Sequence, residues 1–562
     1  MDKTWLKGVV LALSAIVMMA VFPLVGAAEE PYWIKSYGTT GWDEILDAAV
    51  LDDGSIVAVG VVTDRTKDSD VLVMKLSPYG TLEWARKFGG DGKDIGMGVT
   101  IAANGDIIVV GYTSSFGAGE SDVLLLRLDS DGKLEWAKTY GGESNETASK
   151  VEIANDGKIV VVGSTRSYGA DPGKSSDLWV LKLTGKGEVV WAKTYGRNSW
   201  DIGYDVKTDS HGYIYIGGSY WMGEPVENEF RAYYRKGNAW LLKLDSSGNI
   251  VWNKVIQGVD DDWIYSIDLL PDGGLVFLGI TKSYGAGNFD ILAGRTDENG
   301  DVVWMRTYGG RKRDTGIGIA QFSGTCAIIT GSTWSFGAGG MDAWILSVSV
   351  SDGKVGWEKT YGGTGHEGLN WVTRAKEGFL TVGFTETFGV REMDGWVLKL
   401  PMSGEVFKAG IKDDGLKVGS NDEFSYKIEP NVVSPNVIVK DEKPTVKSIP
   451  ISGKPLALKV GVQYYYGPEP PETTTTTTTT TTSSTTTTTS QTSSTSTSTS
   501  HTSTTSTVTT TTTTTTTHTT THTETTTETH TGSTTTSGGG GICGPGLIVL
   551  LGVGIVATRR RL

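Results

Sequence analysis

Residues 129–146 read DSDGKLEWAKTYGGESNE, and the chain returns to this phrase again and again. Asp131-Gly132 makes a tight turn, a short strand runs through Trp136, and Tyr140-Gly141-Gly142 leads to an acid, Glu146. The phrase recurs as YWIKSYG, EWARKFGG, EWAKTYGG, VWAKTYGR, VWNKVIQG, VWMRTYGG and GWEKTYGG, at Trp33, Trp84, Trp136, Trp191, Trp252, Trp304 and Trp357. Spacings of 51, 52, 55, 61, 52 and 53 residues are too long for most helical repeats and suit a four-stranded blade.

Between two such tryptophans the strand signals are plain. From Asp94 a strand carries Met97 to Ala102, Asn104-Gly105 turns the chain, and Ile107 to Val110 form a second apolar run. The loop TSSFGAGES leads to Val123–Leu128, and Asp131-Gly132 turns into the Trp136 strand. Runs such as Ile56 to Val59 and Ile159 to Val162 are nearly continuous, as expected of strands covered on both faces by neighbouring blades. Gly60, Gly111, Gly163, Gly279, Gly331 and Gly383 are expected where blades converge closely. Phe407 in EVFKAG is a degenerate eighth landmark, so eight landmark strands enclose seven sets of the other three. The expectation is an all-β, seven-bladed β-propeller over residues 31–410, with the Trp33 strand joining the last blade and closing the ring.

These units resemble the bacterial and archaeal propeller repeat called SBBP, on the GG...D, GxT and DxxxxKL landmarks and the closing W-x-K-x-Y-G-G. The Trp that follows a D-x-x-G-K turn, as in DSDGKLEW, also resembles repeats of quinoprotein propellers. The resemblance implies a fold more than an activity.

Six residues after the aromatic of each YG pair stands an acid: Asp43, Asp94, Glu146, Asp201, Asp262, Asp314 and Glu367. A second set precedes the third strand at Asp70, Asp122, Asp177, Asp290, Asp342 and Asp394, with Asn238 in the fourth unit. In a four-stranded blade both loops lie on one face of the disc, which should carry a ring of carboxylates. Two accounts stand side by side: a polar or cationic ligand, Ca²⁺ among them, gathered by the ring, or loop N–H groups and the Thr or Ser of GxT held by each acid. Repetition in every blade favours the structural account. No cofactor is expected beyond that Ca²⁺.

Departures from the repeat are where function is sought. The longest unit inserts WMGEPVENEFRAYYRKGN, bringing Trp221, Arg231, Tyr233 and Tyr234; neighbouring loops add Trp42, Trp200, Trp263 and Trp334. Aromatics beside carboxylates suit sugar rings, which stack on indole and bond through their hydroxyls; packing between blades is the plainer account of the same residues. Between residues 31 and 410 the only histidines are His211 and His366, which excludes a His-rich metal site, and no phosphate-cradling motif follows a strand. His366 beside Glu367 is the one pair resembling an acid–base couple. Binding of a glycan, peptide or envelope protein, or a scaffold role, is expected; an extracellular enzyme, either a two-carboxylate hydrolase or a quinoprotein-like oxidoreductase, is the alternative.

The 562-residue chain carries a net charge of −14, which argues against nucleic-acid partners. Residues 1–27, with Lys3 and Lys7 before an apolar run and small residues at Gly26-Ala27, read as an export signal. Asn145-Glu146-Thr147 is then an N-glycosylation sequon. Residues 411–467 read as a small β extension docked on the propeller, since so few residues would struggle to form a core alone. Residues 473–537 are almost wholly Thr and Ser, a disordered stalk reaching on the order of 200 Å if extended. Residues 542–562 hold an apolar run and Arg559–Arg561, a C-terminal membrane helix with the propeller outside the cell. This tail is similar to the CGP C-terminal sorting signal of archaeal surface proteins, on Cys543, Gly544 and Pro545; the resemblance implies lipid attachment at Cys543. The membrane is thus an expected partner, and the outer face of the cell membrane the expected location.

Overall fold

The computed structural model describes residues 32–63, 69–197, 199–222, 236–389 and 392–405, together with the backbone of seven short strands between 417 and 466. The expected export signal, stalk and anchor, with Cys543, and Phe407, Arg231, Tyr233 and Tyr234 lie outside the described residues. Among the described residues no helix occurs.

Seven antiparallel sheets make seven blades. Blade 1 runs outward through Asp43–Val50, Ile56–Thr63, Ser69–Leu76 and Leu82–Phe88. Blades 2 to 6 begin at Asp94, Glu146, Ile202, Asp262 and Asp314 and repeat the order. Blade 7 takes Glu367–Arg374, Phe379–Thr385 and Asp394–Leu400 from one end of the chain and Tyr32–Gly38 from the other. The Trp33 strand therefore closes the ring, as its spacing predicts, with Trp33 opposite Lys399.

Blades are clasped to one another by the same residues that mark the repeat. Each landmark Trp, and the Tyr that follows it in five of the seven units, reaches the turn that precedes the outer strand of the next blade. Trp304 Nε1 donates to Val350 O at 2.8 Å, and Trp252 and Trp357 repeat the bond to Glu298 O and Met402 O. Tyr37, Tyr140 and Tyr195 each donate a hydroxyl to a turn glycine carbonyl at 2.7 Å. The turn glycine must have no side chain: at Gly353 φ is +69° and a Cβ would lie 2.6 Å from the Trp304 ring. Indole and turn glycine thus form one joint, which explains why they recur together.

Innermost strands share a second device. In all seven, pairing slips by one residue, skipping Leu46, Met97, Ser149, Tyr204, Tyr265, Ile317 and Asn370. Each is a β-bulge, which bends the strand and re-aims a side chain. The glycines expected at blade convergence serve this bulge instead. A Cβ at Gly111 would lie 1.8 Å from Ile95 O, and one at Gly279 would lie 1.7 Å from Trp263 O, both within their own blade.

The segment after the seventh blade is no compact extension. Its strands pair one by one with the outer strands of blade 6 (Lys417–Gly419), blade 5 (Ser425–Lys427), blade 4 (Asn431–Val433), blade 3 (Ile438–Asp441), blade 2 (Thr445–Ser448), blade 1 (Lys454–Pro455) and blade 7 (Lys459–Tyr466). It runs backward around the whole rim as a belt and adds a fifth strand to every sheet. Its last strand pairs with the first, Tyr466 opposite Tyr32. Outer edges that would otherwise present unpaired N–H and C=O groups are covered.

Candidate functional site

The ring of acids lies where its spacing places it. Asp43, Asp94, Glu146, Asp201, Asp262, Asp314 and Glu367 are fully buried, and all but Asp262, which accepts from Thr281 and Ser283, accept from the loop that precedes them. Gly90, Gly142, Arg197, Gly310 and Gly363 donate backbone N–H at 2.7 to 2.9 Å. Thr165 and Thr385, each the Thr of a GxT, donate hydroxyls to Glu146 and Glu367. The second set is bound likewise: Asp290 accepts from Ala286 and Gly287, Asp342 from Ala338 and Gly339, and Asp70 from Lys87 Nζ.

Acids of the two sets meet across each blade junction. A Cβ at Gly141 would strike both Asp122 and Glu146, and one at Gly362 both Asp342 and Glu367. Burial is the main cause that pushes Asp43 up to about 6 and Asp290 up to about 6, with the neighbouring Asp394 and Asp314 adding to it. Asp201 is pushed up to about 8 by burial, with Asp177 adding. In the fourth blade Asn238 replaces one member, and burial still raises Asp262 to about 6. Among the described residues no three His, Cys, Asp or Glu side chains converge as metal ligands. The acids therefore stand within the walls held by backbone and side-chain donors, while Asp94, Asp290 and Asp342 each keep one buried carboxylate oxygen without a hydrogen-bond partner among the described residues.

Of the aromatic candidates, Trp42, Trp200 and Trp334 are about 40% exposed, at 42%, 40% and 38%. Trp42 Nε1 approaches Met393 Sδ at 2.6 Å, Arg166 lies over Trp200, and Trp334 meets His366 at a tilt, with ring centroids 4.9 Å apart. Trp221 and Trp263 are half-buried instead; Trp263 packs between Tyr265 and Phe289. His366 Nδ1 accepts the Met341 N–H at 3.0 Å while Glu367 turns into the wall, so the two do not form a couple. The sequon residue Asn145 donates its amide to Glu120 and accepts from Ser121 Oγ at 3.1 Å.

The site that sequence reasoning missed is on the axis. Aligned from the acid, or in blade 4 from Asp201, the innermost strands read DEILDAAV, DIGMGVTI, ETASKVEI, DIGYDVKT, DWIYSIDL, DTGIGIAQ and EGLNWVTR. The fourth letters, L, M, S, Y, Y, I and N, are the seven bulge residues. All seven line one cavity of about 470 Å³, with Tyr112, Thr147, Ser164, Ile202, Lys150 and Trp371. Fifth letters D, G, K, D, S, G and W form the layer beneath. The bulge position carries six residue types in seven blades and the position below it five, and that variation, shared with other positions of these strands, was the available signal.

A plug of side chains from across the ring floors this vestibule. Lys150 of blade 3 donates to Asp47 Oδ1 of blade 1 at 2.7 Å, passing blade 2 where Gly98 stands, and its ammonium lies 2.9 Å from the ring centroid of Trp371 of blade 7. Asp47 Oδ2 accepts the Val99 N–H at 2.7 Å. Burial pushes the Asp47 carboxyl up and the Lys150 amine down despite their pairing. Asp205 repeats the bond to the next blade, accepting from Ile267 N at 2.8 Å. A second skipping pair, Arg374 with Asp268 at 2.7 Å, passes blade 6, where Gln321 donates its N–H to Asp268 and accepts from Arg374 Nε. Between them burial raises Glu152; for Lys207 burial pulls down, but Asp205, Glu152 and Asp268 outweigh it and hold the amine up. The axis is thus a vestibule rich in aromatic and aliphatic side chains above a charged layer.

Comparison with known proteins agrees with the fold. Residues 102–135 match the family described as a domain of unknown function, DUF5122, forming a β-propeller. Over 302 residues the chain is 25% identical to the regulatory protein FlaEY of Caulobacter vibrioides, a match spanning 44% of this chain and 31% of that protein. The WD40 domain of Neurospora crassa Pan2 superposes with a TM-score of 0.30 at 10% identity, covering 51% of this chain and 86% of the other, a likeness too slight to carry an argument.

Proposed function

We propose that this β-propeller is a non-catalytic binding module displayed outside the cell on its Thr/Ser stalk, and that its ligand seats in the axial vestibule. What supports this is a contrast within the ring. The acids, the GxT threonines and the Trp–Gly joints recur from blade to blade, whereas the bulge position carries six residue types in seven blades and the layer below mixes Asp, Gly, Lys, Ser and Trp. A wall needs equal blades; recognition needs unequal ones. The junction acids that a hydrolase would use are buried within the walls, which weighs against the enzymatic alternative. A recognition role accords with the name of the Caulobacter relative, a regulatory protein. The SBBP type of repeat, export, anchoring by the apolar C-terminal segment and the CGP type of signal belong to the same proposal.

The test is a binding screen of the full chain against soluble glycans, peptides and envelope extracts, repeated with Ser149→Trp, which fills the vestibule. Saturable binding that the variant loses supports the proposal. Binding indifferent to the variant, or none to any class, overturns it.

A further inference from the structure

We infer that the vestibule receives one neutral sugar unit at the end of a glycan. This rests on the vestibule being the binding site, and adds the chemistry of its occupant.

Charge narrows the choice first. Among the described residues Lys150 is the one charged side chain lining the cavity, and it is committed to Asp47 and to the face of Trp371. A carboxylate or phosphate finds no free cation there, and a cationic ligand finds no carboxylate. An uncharged ligand is what this wall accepts without an unpaired buried charge.

Surface narrows it further. Tyr204 and Tyr265 meet edge to face at 4.9 Å, and with Tyr112 and Trp371 they give the cavity four aromatic rings. The hydroxyls of Tyr112 and Tyr265 make no hydrogen bond among the described residues, and burial raises both phenols, so they remain donors. Asn370 commits its Nδ2 to Glu44 and Ile45 O, which leaves its Oδ1 as an acceptor. Apolar ring faces beside uncommitted hydroxyl and carbonyl groups match a pyranose, with its C–H faces and equatorial hydroxyls. A purely apolar ring would leave those polar groups unpaired. Depth decides the last point: the Lys150–Trp371 plug closes the floor, so a chain end fits and a through-running chain does not.

Calorimetric titration of the full chain with the methyl glycosides of glucose, mannose, galactose and N-acetylglucosamine tests this, with N-acetylphenylalaninamide as the competing probe. We expect one site per chain for at least one glycoside, weakened tenfold or more by Tyr265→Phe and by Tyr112→Phe. Thermal unfolding of these near-isosteric variants should match the parent. Glycoside binding that both variants leave unchanged overturns the inference. Binding of N-acetylphenylalaninamide alone, blocked by Ser149→Trp, also overturns it while the binding module stands. Failure of all probes, with Ser149→Trp inert in the wider screen, removes both.

Discussion

Lys150 Nζ lies 2.7 Å from Asp47 Oδ1 although a whole blade stands between their strands. The reach is open because the intervening position is Gly98, where a Cβ would come within 3.2 Å of Lys150 Cα. Both ions are buried, and each answers for the other's desolvation.

Removing one partner should therefore cost more than removing both. We predict that Lys150→Met destabilises by about 3–5 kcal/mol, and that Asp47→Asn with Lys150→Met recovers much of that loss. Urea unfolding of the two single variants and the double variant gives the coupling; additive effects would show that the pair is not a unit.

The junction acids set an unusual pH dependence. A carboxyl whose pKa is raised on folding adds stability below its unfolded value near 4 and loses it as pH climbs through its folded value. Asp43, Asp262 and Asp290, near 6, and Asp201, near 8, all shift in this sense. The propeller should melt at a higher temperature at pH 5 than at pH 8. Asp290→Asn, which copies the arrangement already present at Asn238, should flatten that slope; a melting temperature that rises toward pH 8 would contradict the assignment.

Turn glycines separate two costs. Gly105 has φ +86° and open space around it, whereas Gly353 has φ +69° with Trp304 at its back. Alanine at Gly105 should cost about 1 kcal/mol from backbone strain alone. At Gly353 the same change should cost about 2–4 kcal/mol, because the indole must move as well. Equal losses at the two positions would mean that the joint tolerates displacement.

Truncation after residue 405 tests the belt. Amides on the outer strands should then exchange with solvent faster, and the protein should self-associate through its bared edges. Hydrogen exchange and gel filtration read the two effects, and a truncated chain that stays monomeric with protected outer strands would show the belt to be dispensable.

How much of this the sequence discloses depends on whether a residue's work repeats. Trp136, Tyr140, Gly141 and Glu146 do the same job in every unit, so their period exposes blade, count and closure at once. Trp42, Trp200 and Trp334 are visible as departures and are indeed exposed. Lys150, Asp47 and Trp371 are single solutions to a problem set by three non-neighbouring blades, and no local pattern announces them. The belt is legible only in part: the segment reads as a β extension on the propeller, and its last strand, Lys459–Tyr466, is eight residues long, whereas the other six, of two to four residues, carry no periodicity of their own. Only the presence of seven waiting edges gives them a structure.

A ribosome makes the belt after all seven blades, and it can be laid only on blades that already exist. Because it travels from blade 6 back to blade 1 and ends against the strand that began the propeller, a missing or misplaced blade leaves it a gap to cross. The last belt strand, Lys459–Tyr466, is thus a natural inspection step: a chain that has not completed its ring has nothing on which to fasten it.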